Sequence, residues 1–242
     1  MMTTVIHSLP FDRASVLHTK THVANFFKHY SPCQAMKEIT VGLLNNTEGS
    51  AKFVNGDTIV VASVVGPVEN LRDSLTCDVE VNWSIDSDTR DSAHGENRRI
   101  LKQVVENLIL VEKYPRTVIK LSITVFRNNG CVLSTACNAA VMALVDSGVA
   151  MTGINTTVEC ALIDNQLVFN PKLEDESNAK CKVISSWSSK TNGLVASVVY
   201  GVTTQEQYLR VLNFSLPEAK KMLAYLRLTY EAKCKKHFSN TG

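Results

Sequence analysis

Short β-branched runs separated by turn residues open the patterned part of the chain at Glu38. Glu38–Leu44, Ser50–Val54 and Thr58–Val65 each have the length and apolar content of a strand. Asn55-Gly56, before the third run, suits the positive φ angles of a type I′ hairpin turn. Thr58–Val65 is β-branched almost throughout. This predicts a central strand buried on both faces, ended at Gly66-Pro67 because proline has no N–H for a ladder. Thr76–Val81 is the next predicted strand. The period then changes: from about Asn97 to Val111, residues Ile100, Leu101, Val104, Val105, Leu108 and Ile109 fall on one helix face, with Pro115 beyond its end.

Thr117–Phe126 returns to the strand pattern and closes at Asn128-Asn129-Gly130. Ser134–Ser147 is apolar on nearly every side and built of small residues such as Ala136, Ala139, Ala140 and Ala143. That combination predicts a buried helix closely approached by a sheet. Val158–Ile163 and Gln166–Phe169 flank the hairpin signal Asp164-Asn165, and Cys181–Trp187 and Leu194–Tyr200 flank a loop holding Asn192-Gly193. A last helix is expected from Ser215, with Glu218 completing a capping box and Ala219, Met222, Leu223, Leu226 and Tyr230 facing the core. This order predicts one α+β domain over residues 36–242, ending in a C-terminal helix. Residues 1–35 show no stable period and read as an N-terminal extension or packing arm. His18 and His22 in that arm stand at i, i+4 spacing, without a carboxylate or thiol beside them, and read as a solvated face.

At 242 residues the chain is long enough for a full core. Its 45% apolar and 20% charged residues rule out disorder and low-complexity architecture. Net charge is only +2, so contact with a polyanion has to be local. Seven cysteines without a CxxC pair, and an N-terminus without a signal pattern, point to reduced thiols in an intracellular protein. No metal site and no cofactor are expected from the scattered Cys and His, and no apolar run reaches the ~18 residues of a membrane helix. P-loop, GxGxxG, GxSxG and HExxH patterns are absent from the sequence, and His94 alone does not make a triad. Asp146 and Asp175 read as a satisfied helix-end group and a solvated loop residue.

Two longer blocks carry a resemblance. EGSAKFVNGDTIVVASVVGPVE (48–69) and KYPRTVIKLSITVFRNNGCVLSTACNAAVMALVDSGVAM (113–151) resemble the two signatures of the RNase PH family, most of all in CNAAVMALVDSGVAM. The resemblance implies an RNase PH-like fold (split β-α-β, like domain 2 of ribosomal protein S5). Active members are phosphorolytic 3′→5′ exoribonucleases that use cations for the attacking phosphate and carboxylates for a divalent metal or a proton. Within the family the chain is similar to the ring subunits of the eukaryotic RNA exosome. That implies as partners other RNase PH-like ring subunits, RNA-binding cap subunits and RNA, with no membrane, in nucleus, nucleolus and cytoplasm.

Matched position by position, the chemistry is degenerate. Leu133 stands at the phosphate-holding arginine's position, leaving Ser134 as a phosphate donor; Asn170 and Glu176 stand at the two aspartates. Leucine cannot replace a guanidinium, and Asn170 cannot ionise. The expectation is therefore a structural, catalytically inactive ring subunit supporting RNA processing and degradation. Arg90, Arg98 and Arg99, at the start of the first helix, are its candidate RNA contacts. The alternatives are an active phosphorolytic exoribonuclease or related nuclease working as a homo-oligomer, and a small-molecule enzyme on a similar fold.

Overall fold

Where the sequence changes period, the backbone changes element. The computed structural model describes residues 30–31, 37–70, 76–85 and 94–240. The β-branched runs form β2 (Lys37–Val41), β3 (Gly49–Asn55) and β4 (Thr58–Glu69), preceded by a two-residue β1 (Tyr30–Ser31). There follow β5 (Asp78–Ile85), α1 (His94–Glu106), β6 (Thr117–Arg127) and α2 (Val132–Ser147). The last third holds β7 (Asn155–Ile163), β8 (Gln166–Phe169), α3 (Leu173–Asn178), β9 (Cys181–Ser188), β10 (Leu194–Gly201) and α4 (Gln205–Asn240).

The strands make two sheets, ordered β2-β3-β4-β6-β5 and β1-β8-β7-β9-β10. Neighbours are antiparallel except β5 with β6, which α1 connects, and β1 with β8. Helix α2 packs on β3 and β4 of one sheet and on β7 of the other, and every residue from Leu133 to Leu144 is buried. Small side chains make this approach possible. A Cβ on Gly49 would lie 2.2 Å from the carbonyl oxygen of Ala143. One core cluster runs from Ile39 through α2 to Ile184, Val198 and Met222. Asp146, near the end of α2, accepts from the N–H of Ser50 and pairs with Lys233 of α4, which satisfies it as expected. Asp175 is not merely solvated: its carboxylate accepts from the N–H of Lys172 at the start of α3.

Several expectations are corrected. β4 is central in its sheet, but only one face is fully buried; Ile59, Val61 and Val65 on the other are half-buried. The strand also passes through Gly66-Pro67 to Glu69, by a register shift against β6 with Gly66 at φ +117°. A bulge spares proline the ladder bond that it cannot donate. Asn55 is itself paired with Thr58, so the turn residues are Gly56 and Asp57; only Gly56 has positive φ, which excludes type I′. At Asp164-Asn165 both residues have positive φ, as that turn requires. The first helix begins earlier and stops at Glu106, because the hydrogen bond from Leu108 to Val105 tightens the chain out of the α-helix. The C-terminal helix begins at Gln205, not Ser215. Thr204 Oγ1 accepts from the N–H of Gln207, whose side chain accepts from the N–H of Thr204: this is the operative capping box. Ser215 is instead buried inside the helix, where its hydroxyl donates to the carbonyl of Leu212 and accepts from the Trp187 indole.

Residues 1–29 and 32–36, including His18 and His22, lie outside the described residues; Tyr30–Ser31 add a parallel strand to β8. Cys77, Cys137, Cys160, Cys181 and Cys234 carry reduced thiols outside any disulfide. Among the described residues, no helix is long and apolar enough to cross a membrane.

Candidate functional site

The loop from β6 into α2 is pinned before it reaches the helix. Thr58 Oγ1 donates to the carbonyl of Gly130 (2.7 Å) and accepts from the N–H of Asn129 (2.9 Å). Gly130 has φ +96°, and a Cβ there would meet the carbonyl oxygen of Pro171 at 2.4 Å, so the loop lies directly on the start of α3. Cys131, at φ 54°, turns the chain into α2. Its N–H donates to Glu176 Oε1 at 2.6 Å and its thiol to the carbonyl of Pro171 at 3.2 Å. A carboxylate thus sits at the N-terminal end of the buried helix, where the dipole and the free N–H groups favour an anion.

Behind it lies a charged group inside the β7–β9–β10 surface. Glu159, in the middle of β7, is 1% exposed. On β9, Lys182 pairs with Ala161, two residues along from Glu159 and therefore on the same face; on β10, Tyr200 pairs with Lys182. Lys182 Nζ lies 2.8 Å from Glu176 Oε2, 3.2 Å from Glu159 Oε1 and 5.3 Å from the centre of the Tyr200 ring. Glu159 Oε2 lies 3.1 Å from Ser134 Oγ, which is also 3.0 Å from the carbonyl of Cys131. With one proton, the serine donates to only one of these at a time.

Electrostatics follow from the burial. Desolvation lifts the Glu159 carboxyl above its usual range, against the pull of Lys182. Burial also opposes the Lys182 ammonium, but Glu159 and Glu176 outweigh it and hold that pKa above the ordinary lysine value. Tyr200 is pushed up to about 12, chiefly by burial and then by the Glu96 charge, with Lys182 and Arg99 acting the other way. Lys182 is therefore a permanent cation at the centre of the cluster.

The sequence's candidate residues separate on this geometry. Ser134 and Glu176 join the cluster, but both are engaged by the chain itself. Leu133 belongs to the core with Ile100, Ile184 and Val198, and lines a small apolar cavity there instead of joining the cluster. Asn170, at φ 52°, enters only through its N–H, which donates to the carbonyl of Glu159. The same six-residue step recurs from Glu176 to Lys182, and that pair is the one in contact. Arg98 and Arg99 are exposed on the first turns of α1, and Arg99 reaches the cluster electrostatically through Tyr200. Arg90 lies outside the described residues. Sequence reasoning passed over Glu159 and Lys182. The available signal was a lone acid inside the near-continuous apolar strand TTVECALI, which demands a partner.

The arrangement does not fit a divalent metal. Cys131 Sγ and the carboxylate oxygens of Glu159 and Glu176 lie within 4.8 Å of one another, the spacing of a donor set. The ammonium of Lys182, close to both carboxylates, occupies the same charge niche. A second cation there would meet it at full Coulombic cost in a buried site.

Two five-stranded sheets around a buried helix define a class of fold. Residues 36–150 match the RNase_PH family model, "3' exoribonuclease family, domain 1". Within that class the chain is similar to the "Exosome complex exonuclease RRP46 homolog" of Arabidopsis thaliana, at 27% identity over 78% of this chain and 88% of the relative. Similarity to the Rrp-forty-six lineage recurs in the rice relative, at 25% identity over 78% of this chain and 87% of that one. The chain's fold matches the crystal structure of rice (Oryza sativa) Rrp46 with a TM-score of 0.79, 24% identity, and coverage of 83% of this chain and 97% of that one. An Archaeoglobus fulgidus exosome with RNA bound to the active site matches with a TM-score of 0.68 and 19% identity, over 79% of this chain and 88% of that one.

Proposed function

We propose that this chain is a structural, catalytically inactive subunit of an exosome ring. It supports 3′→5′ RNA processing and degradation, rRNA processing included, beside RNase PH-like ring subunits and RNA-binding cap subunits. The observation that carries inactivity is self-occupation: Glu176 fills the anion position at the N-terminus of α2, Lys182 fills the cation position, and Leu133 belongs to the core. Attacking phosphate would have to displace a carboxylate hydrogen-bonded at 2.6 Å, with no guanidinium to receive it. Assembly is supported by the similarity to Rrp46 homologues and by the half-buried β-branched residues Ile59, Val61 and Val65 on the outer side of β4, near an exposed Phe126 on β6. Exposed Arg98 and Arg99 serve RNA contact in this reading, with Arg90 before them in sequence, and the protein works in nucleus, nucleolus and cytoplasm.

Two measurements test the proposal together. Isolated chain incubated with body-labelled RNA, phosphate and Mg²⁺ should release no nucleoside diphosphates. Cross-linking mass spectrometry from cell extract should return links to RNase PH-like relatives. Phosphate-dependent release that disappears in Glu176→Ala overturns inactivity; absence of every such link overturns the ring.

A further inference from the structure

We infer that Lys182 is a tethered counter-cation: its ammonium holds the niche in which Cys131, Glu159 and Glu176 would otherwise bind a divalent metal ion, so that removing it uncovers a metal site. The inference concerns the cluster alone and does not depend on the ring assembly. The donors come from separate elements, each fixed on its own: Cys131 at the start of α2, Glu159 on β7 and Glu176 on α3. Their ligand atoms converge within 4.8 Å, so moderate contraction places them around one ion. Glu159 is 1% exposed, and its Oε1 has no hydrogen bond; its neighbour is the lysine nitrogen at 3.2 Å, in ion-pair contact only. Glu176 is already oriented by the N–H of Cys131. A buried carboxylate oxygen that faces a cation and is held by nothing else is placed as a metal ligand is, with the ammonium standing where the ion would.

Lys182→Ala removes the cation and leaves room for an ion with its water. The variant must then protonate Glu159 or recruit a cation from solution. Mn²⁺ is the probe, because oxygen donors suit it and its spin reports binding directly. Wild-type protein titrated with Mn²⁺ to millimolar concentration should show no bound ion by electron paramagnetic resonance and no shift in melting temperature. Lys182→Ala should bind one Mn²⁺ at least tenfold more tightly than wild type, with a saturable rise in melting temperature. Glu159→Gln in the same background should abolish the site. Equal affinity in wild type and Lys182→Ala, or a folded Lys182→Ala that binds no Mn²⁺, overturns the inference.

If Lys182→Ala does not fold, wild type carries the test by ¹⁵N-lysine NMR. The Lys182 ammonium should be protected from exchange with water and unaffected by Mn²⁺. An unprotected ammonium, or one that Mn²⁺ quenches, overturns the assignment.

Discussion

Substituting Leu133 separates a core position from a phosphate-binding one. Leu133 is 2% exposed on α2 and lines a small apolar cavity together with Ile100 and Val104 of α1, Ile184 of β9 and Val198 of β10. Leu133→Ala removes three carbons, worth about 2.4 kcal/mol at roughly 0.8 kcal/mol per buried methylene. The space cannot close, because the α2 neighbours are already small (Ala136, Cys137, Ala140) and the strands are locked in their ladder. A cavity term brings the cost to about 3–4 kcal/mol, within the range of buried leucine truncations. At roughly 2–4 °C per kcal/mol for a chain of this size, the melting temperature should fall by about 6–16 °C.

Leu133→Met keeps the volume and should cost less than about 1.5 kcal/mol. Leu133→Arg buries a charge without a partner and should be the worst of the three. Urea denaturation read by tryptophan fluorescence gives the ranking directly. Were the side chain to face the cluster and solvent, arginine would be tolerated better than alanine. A Leu133→Arg protein as stable as wild type, or one that gains phosphate binding, refutes the assignment of this position to the core.

Other perturbations probe the same packing and electrostatics. Gly49→Ala places a methyl 2.2 Å from the carbonyl oxygen of Ala143 and 2.4 Å from the backbone nitrogen of Ser147, so α2 must shift away from β3; urea midpoints should fall by the equivalent of more than about 2 kcal/mol, and an unchanged midpoint contradicts the close approach. Ala139→Leu and Ala143→Leu overpack fully buried positions of the same helix and should cost roughly 1–3 kcal/mol or more in thermal melts. Alkaline pH acts through Cys137, lifted by burial from 9.0 to about 12, and Tyr200, lifted from 10.0 to about 12. Raised folded values mean that the unfolded chain gives up these protons first. Stability is complete below about pH 9 and should decline as pH rises toward 12, less steeply in Cys137→Ala, whereas identical pH profiles would remove Cys137 from the account.

What the sequence disclosed follows the range of each interaction. Period and turn chemistry are local, and they located β3, α2 and the Asp164-Asn165 turn well, together with the start of β4 and the middle of α1. Local signals failed where two sites competed for one rule. Thr204–Gln207 and Ser215–Glu218 both satisfy the capping pattern, but only the first lies at a real helix start; burial against Trp187 makes Ser215 an interior residue. Pro217 lies within the helix that it would ordinarily open. At Gly66-Pro67 the missing N–H was visible, whereas the bulge that excuses it depends on register with β6, a strand far along the chain.

The cluster was half legible for the same reason. Ser134 and Glu176 could be placed by position, but their meaning depends on Glu159 and Lys182, which meet only because β7 and β9 pair in antiparallel register. That pairing changes the inference about chemistry. Leucine and asparagine at two expected stations show only that reactive groups are missing, and a neighbouring residue can supply a missing group. A lysine between two carboxylates, one of them hydrogen-bonded to the helix N-terminus, leaves the same space occupied and its charges opposed. Phosphate would face Glu176, and a metal ion would face Lys182. Restoring one group, as in Leu133→Arg, therefore leaves the obstruction in place, and only variants that remove the internal ions test whether any chemistry is latent beneath them.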